Sequence, residues 1–286
     1  MFVNAFTKKP GVKQRLARFA TDATPGFKDK HAAKGKLEAD VQKLTKLQDV
    51  LSAAAEHGLL IIFQGMDGAG KDSAIKHVMS GVNPQGVHVY SFRQPTDEER
   101  RHDYMWRCAK VLPERGRIGI FNRSYYEEVL ITRVHPELLD PKPTRGANRA
   151  FWERRYRYMN DLERYLVENR IQVVKFFLHL SKKEQAKRLL ARLDQPNKQW
   201  KFSEADLQQR AYWPAYMKVY EDMLNATSTE WAPWYVIPSD HKWFAHVAIA
   251  DIVVRRLEAL RLKYPTLPSN MQRALRKAKR RLERGG

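Results

Sequence analysis

The chain has 286 residues, 43% hydrophobic and 29% charged, and its 52 Lys and Arg against 32 Asp and Glu give a formal charge of +20. That length can bury a sizeable core, and the composition excludes collagen-like, disordered and low-complexity classes. The one cysteine, Cys108, excludes an intrachain disulfide and every multi-cysteine metal site, and it suits a reducing compartment.

The positive charge gathers at the ends. Residues 1–36 hold nine Lys/Arg and two Asp, and residues 271–286 hold seven Lys/Arg and one Glu. An anionic partner is expected, whether nucleic acid, a phosphorylated metabolite or another polyanion, rather than a membrane surface; basic ends that merely aid solubility are the plainer reading. The opening MFVNAFTKKPGVKQR has too short an apolar stretch for a signal peptide, and no run approaches the roughly 18 apolar residues of a membrane helix, so a cytoplasmic location is expected.

Residues 1–36 read as an extended basic arm. Leu37, Val41, Leu44, Leu47, Val50 and Leu51 mark one apolar face of a helix over 36–57. Gly58 ends it, and Leu59–Phe63 (LLIIF) is a short continuous apolar run of the kind found in a buried parallel strand. Further strands are predicted at Val87–Phe92, Ile118–Phe121, Ile171–Leu178 and Trp234–Ile237. Helices are predicted over 71–80, 98–110, 124–132, 147–169, 181–193, 203–224 and 241–263. Five strands with helical crossovers predict one three-layer α/β domain with a parallel sheet, over 37–264, followed by a basic helical tail over 265–286. Pro136–Gly146 is a Pro-rich loop. Gln195–Asp206 is a second, polar and basic loop, in which Ser203 and Asp206 have the spacing of a capping box. A mobile lid over about 188–206 would suit such an insertion, as would an ordinary helix–helix turn.

The strongest motif is GMDGAGKD, Gly65 to Asp72, directly after the first strand and before a helix. Gly65, Gly68 and Gly70, with Ala69 between the last two, let successive amides and a helix N-terminus face one anion while Lys71 leans over its oxygens. The alternative is a glycine-rich turn without phosphate function. Asp72 stands where nucleotide hydrolases carry the Ser/Thr that contacts magnesium, and Asp67 adds a second acid inside the loop. A carboxylate beside phosphates is unfavourable unless a hard cation intervenes, so Asp67 is the candidate for organising Mg²⁺, or Mn²⁺ in its place, or for orienting an attacking phosphate.

The third strand runs into FNRSYYEE, which puts Asn122 and Arg123 at the carboxyl edge of the sheet, where ligands bind in open α/β folds. Asn122 offers a neutral oxygen ligand or a donor, and Arg123 a fork for phosphoryl oxygens. Tyr125 and Tyr126 read equally well as packing at a helix start. Arg93 emerges at the same edge, and Arg133 follows the short helix that carries Glu127 and Glu128. Convergence of Lys71, Arg93, Arg123 and Arg133 would make a cationic bed.

Together these stretches resemble the polyphosphate kinase 2 family, over residues 36–264. GMDGAGKD resembles its Walker A loop and FNRSYYEEVL its Walker B region, SFRQPTDEE and HDYMWR the segments between, and DQPNKQWKFSEAD its lid motif. The resemblance implies a three-layer P-loop kinase fold with a five-stranded parallel sheet and a helical lid. It implies reversible transfer of the terminal phosphoryl group of inorganic polyphosphate to AMP, ADP or both, with GMP and GDP as further acceptors, and with Mg²⁺ as cofactor. On that basis Asp67 meets the metal and the acceptor phosphate, Lys71 and Arg123 hold phosphates, and Asn122 fills the family's Asp/Asn position. Arg188, Arg192, Lys198 and Lys201 supply the lid's cations. The form of the Walker B region resembles the monophosphate-accepting group, and the family suggests a homo-oligomer, dimer or tetramer. Two competing functions are an ATP-dependent nucleoside monophosphate kinase, against which Asp67 and Asp72 speak, and a nucleic-acid-binding P-loop protein, suggested by the charge and the tail LRKAKRRLERG.

Overall fold

A computed structural model describes residues 2–139, 146–200 and 202–284. Its centre is β1 (Gly58–Gln64), buried along its whole length. Alternate side chains enter opposite cores: Leu59, Ile61 and Phe63 face one, Leu60 and Ile62 the other. Strands β2 (Val87–Ser91), β3 (Ile118–Asn122), β4 (Ile171–His179) and β5 (Trp234–Pro238) complete a parallel sheet of order β2-β3-β1-β4-β5. Register places Phe63 beside both Asn122, the last residue of β3, and Phe176, while β4 runs on to His179 beside the P-loop.

Helices α1 (Lys30–Ala54), α2 (Lys71–Val78) and α8 (Lys242–Glu258) cover one face. The other is covered by α3 (Glu127–Val134), α4 (Arg149–Glu168) and α7 (Trp213–Thr227). Between β4 and α7 run α5 (Lys182–Asp194), a single turn at Pro196–Gln199, and α6 (Glu204–Ala211). An exposed α9 (Ser269–Glu283) forms the tail.

Four local expectations change. The stretch 98–110 forms two separate turns, Asp97–Arg100 and Trp106–Ala109. The predicted helix 203–224 divides at Tyr212, because Pro214 lacks the N–H that would continue the ladder and sits in the first turn of a new helix. Ser203 makes no side-chain cap, and Asp206 turns to Arg192 instead; a capping box forms at Thr96 and Glu99. In the Pro-rich loop, Pro136–Leu138 makes a 3₁₀ turn, and residues 140–145 lie outside the described residues.

The N-terminal stretch is packed rather than free. Phe2 and Phe6 are buried edge-on to Phe244, with ring centroids 5.5 and 5.8 Å apart. The Phe2 amide donates to Asp251 (3.2 Å), the Lys8 amide to the Trp234 carbonyl (2.8 Å), and Thr7 bridges Tyr235. Thr21 Oγ1 donates to Asp240 (2.9 Å), whose amide returns a bond to the Thr21 carbonyl (2.9 Å). Helix α1 starts at Lys30, capped by Asp29.

Beneath α3 lies a buried charge. Lys175 Nζ donates to Glu163 (2.6 Å), Tyr126 Oη (3.0 Å) and the Thr227 carbonyl (2.7 Å). Glu163 also accepts from the hydroxyls of Tyr125 (2.8 Å) and Tyr126 (2.6 Å). Burial lowers the Lys175 pKa and raises those of both tyrosines, yet every polar atom finds a partner, and the network fixes the start of α3 directly after Arg123. The tyrosines therefore serve packing and position.

Candidate active site

The P-loop takes its shape from glycine. Gly65 has φ +148°, and a Cβ there would lie 2.8 Å from the Leu178 carbonyl oxygen; Gly70, at φ +104°, caps α2. The helix N-terminus thus points into the loop, where unpaired amides favour an anion. Lys71 is buried and folds back across the loop, with Nζ donating to the carbonyls of Gly65 (2.7 Å) and Met66 (3.3 Å). Burial, helped by the Arg123 charge, pushes its pKa down.

Arg123 sits just past the end of β3 at φ +66°, a left-handed conformation that costs a non-glycine residue about 1 kcal/mol or more. Its amide, bonded to the Phe63 carbonyl (3.0 Å), holds that geometry, and its guanidinium reaches Asp67 (2.5 Å) and Glu127 (3.2 Å). Glu127, then Asp67, keeps Arg123 charged against the effect of burial. Burial alone would raise the Asp67 pKa, but Arg123 and Lys71 outweigh it and hold the carboxylate ionised below its ordinary range. At the other side of the loop mouth, Asn122 Nδ2 donates to Asp72 Oδ1 (2.6 Å).

Arg188 reaches the P-loop from α5 and is buried. It donates to the carbonyls of Gly68 (2.9 Å), Ala69 (3.1 Å), Ser239 (2.5 Å) and Asp240 (3.0 Å), and to Glu184 (2.9 Å). Gln185 Nε2 donates to the Asp67 carbonyl (2.8 Å) and its Oε1 accepts from Arg210 (2.9 Å). Arg192 pairs with Asp206 at 2.7 Å, joining α5 to α6, and the Arg192 charge, after those of Arg123 and Lys71, helps hold the Asp67 pKa down. Asp206 is raised by burial and then by Asp67.

Among the described residues no group of three or more His, Cys, Asp or Glu side chains could hold a metal by itself. Asp67 and Asp72 nevertheless suit a magnesium ion, which ordinarily keeps several waters and takes one or two carboxylates together with phosphate oxygens. No described helix is long and apolar enough to cross a membrane.

The profile of the family described as Polyphosphate kinase 2 matches residues 27–265. The chain belongs to that family. An ADP-polyphosphate phosphotransferase of Rhodopseudomonas palustris is 48% identical over 269 residues, 93% of each chain. An AMP/ADP-polyphosphate phosphotransferase of Meiothermus ruber is 43% identical over 258 residues, 90% of this chain and 93% of the other. The crystal structure of a polyphosphate kinase 2 from Arthrobacter aurescens TC1 has a TM-score of 0.85 at 42% identity and covers 93% of both chains. The three-layer fold with a five-stranded parallel sheet is that of polyphosphate kinase 2.

Within this polyphosphate kinase 2 chain, Gly65, Asp67, Gly68, Ala69, Gly70, Lys71, Asp72, Asn122, Arg123, Glu127 and Arg192 come together at the loop. Arg188 joins them, but its fork is spent on main-chain carbonyls and Glu184. Arg93 is exposed at the end of β2, two strands away from β1, with no ion pair among the described residues. Arg133 lies elsewhere, bonded to Tyr156 Oη (2.6 Å) and Asp222 (3.0 Å). Lys198 is exposed, and its charge, after burial and Arg188, helps lower the Lys242 pKa; Lys201 lies outside the described residues. Trp200, within the lid motif, is 78% exposed. Two site residues escaped the sequence reading. Gln185 secures the Asp67 main chain, and Lys242 opens α8 beside Gly70, its Cγ 4.0 Å from where a Cβ would stand. Lys242 follows the end of β5 by four residues, so its place at the sheet's carboxyl edge was the available signal.

Proposed function

We propose that this chain transfers the terminal phosphoryl group of inorganic polyphosphate to AMP or ADP, in a reversible reaction. The observation that carries this reading is the Asp67–Arg123–Lys71 cluster on a P-loop whose Ser/Thr position is Asp72: two carboxylates and two cations meet where two polyanions must approach. A terminal nucleotide oxygen attacks the end phosphorus; the new P–O bond forms as the bridging P–O bond breaks, and the polyphosphate leaves one unit shorter with the charge on its new terminus. The nucleophile is already anionic, so positioning and charge compensation are the main requirements. Lys71 and the amides of Gly68, Gly70 and Lys71 receive phosphoryl oxygens, the Ala69 amide being bonded to the Met66 carbonyl; Arg123 aligns them, and Asn122 orients Asp72. Asp67 and Asp72 would hold Mg²⁺, with Mn²⁺ as a substitute, and the bound ion would offset the charge on the transferring group.

Lys198 and Lys201, with Arg192, are the lid's cations over the donor. Arg188 is assigned to the loop, and Arg93 to the rim. The acceptor range is AMP and ADP, as named for the Meiothermus AMP/ADP-polyphosphate phosphotransferase, with guanine nucleotides as further acceptors. A cytoplasmic location is supported by the single, buried Cys108. A homo-oligomer is supported by β2, which ends the sheet with Val89 exposed. The test supplies purified protein with polyphosphate, Mg²⁺ and separately AMP, ADP, GMP or GDP, and identifies the products by chromatography. Phosphorylated adenine nucleotides are expected only with polyphosphate and the divalent cation. Efficient AMP phosphorylation from ATP, with none from polyphosphate, overturns the reading.

A further inference from the structure

A cavity of about 890 Å³ opens between the N-terminal stretch and helices α3, α4 and α7. Lys13, Arg15 and Arg18 line one wall; Arg133, Trp152 and Lys218 belong to the other. The first wall is built, not draped. The Gln14 amide donates to Asn225 Oδ1 (2.8 Å), Asn225 Nδ2 returns a bond to the Gln14 carbonyl (3.0 Å), and the Leu16 amide donates to Glu221 (2.8 Å) while the Leu16 side chain is buried. With the backbone pinned at 14 and 16, Lys13, Arg15 and Arg18 remain exposed, and none has an ion-pair partner among the described residues.

The acids around the cavity are already engaged. Asp222 takes Arg133 (3.0 Å) and Lys218 (2.9 Å), Glu153 takes Arg149 (2.7 Å), and Glu221 takes the Leu16 amide. The cationic excess therefore faces the cavity uncompensated, which favours an anion. The volume is that of a ligand site rather than of a single ion. A nucleobase would find its platform occupied: the Trp152 ring has Arg133 over it (5.6 Å) and Phe151 at its edge, and its N–H is bonded to the Ala147 carbonyl. Arg133 stands six residues after Glu127 on α3, about 9 Å along the axis from the group that pairs with Arg123.

We propose that this cavity anchors the polyphosphate chain at a distance from its reacting end, so that long chains engage the P-loop and the cavity together. The inference rests on polyphosphate being the donor. Its walls include Lys13, Arg15 and Arg18, which precede the residues matched by the family model. A chain held at two points binds more tightly than one held at its tip, by an effective-concentration gain.

The test replaces Lys13, Arg15 and Arg18 together with Ala and measures KM for long-chain polyphosphate, tripolyphosphate and nucleotide, beside a charge-matched triple variant of tail residues Lys277, Arg280 and Arg281. KM for the long chain is expected to rise about tenfold, while KM for tripolyphosphate, too short to span both sites, and for nucleotide stays within about twofold. An equal rise for both chain lengths, an equal rise in the tail variant, no rise, or a rise confined to the nucleotide overturns the proposal. Failure of the unmodified protein to use polyphosphate of any length removes the donor reading itself, and is seen before any variant is compared.

Discussion

Replacing Arg188 with Met separates two roles that a basic residue near a phosphate loop could play. In the structure its five N–H groups are given to four carbonyls and Glu184. Hydrogen bonds involving a charged group are worth about 1.5–3 kcal/mol each, but these share one charge and do not add; breaking such a buried set costs about 3–5 kcal/mol. For a chain of this size that lowers Tm by about 5–8 °C. Because two of the carbonyls belong to Gly68 and Ala69, the loop amides lose their alignment too, and a displacement near 1 Å costs about a hundredfold in turnover. Arg188→Lys keeps the charge but has three donors on a flexible stem, so it should recover little of either loss. The assay is ligand-free thermal and urea denaturation, followed by kcat and KM for each substrate. An Arg188→Met protein with an unchanged ligand-free Tm and a raised KM for polyphosphate alone would refute this reasoning and return Arg188 to the lid.

Lys71→Ala and Asp67→Asn should each lower kcat/KM by at least about a hundredfold with an unchanged circular dichroism spectrum; a loss below about tenfold, or 1.4 kcal/mol, in a folded variant rejects their assignment. The Asp67 variant should also need more Mg²⁺ for half-maximal rate, which the Lys71 variant should not. Burial pushes Glu128, despite Arg155 3.3 Å away, up to about 7 from 4.5. An acid raised in the folded state contributes stability that is present below its unfolded pKa and is lost as pH rises through the folded value. Glu128 should therefore remove about 3 kcal/mol between pH 4.5 and pH 8. In Glu128→Gln that part of the pH dependence should vanish from urea titrations, and identical profiles for the two proteins count against it.

Strand β1 was legible as a short continuous apolar run between glycines, and the P-loop because its glycines follow that strand directly; β2, with His88 and Ser91 in it, is the least apolar of the five. Less visible was the N-terminal packing. Phe2 and Phe6 are one helical turn apart, but a single turn with Leu16 ten residues further on gives no sustained period, and what holds them is Phe244, Asp251 and Glu221, more than 200 residues away in sequence. Arg133 and Arg188 show a different limit. A guanidinium suits a phosphate, a carboxylate and a carbonyl alike, so sequence places the fork near the sheet edge without saying what it grips. Arg133 found Tyr156 and Asp222 on neighbouring helices, and Arg188 found main-chain oxygens. Ser203 misled for a related reason: its spacing to Asp206 fits a cap, but Arg192 offered that carboxylate a stronger, charged partner.

Asp240 has a practical consequence for anyone who modifies the chain. Its carbonyl takes Arg188, one carboxylate oxygen takes the Ser181 amide at the start of α5, and the other takes Thr21. One residue therefore ties the N-terminal stretch to the loop that receives phosphate. Trimming to the family-matched boundary at residue 27 would remove Thr21 and loosen that tie, and a bulky fusion at the front would strain the seat of Phe2. Affinity handles and fluorophores belong at the opposite end, after α9, where the helix is exposed along its length and carries none of these bonds.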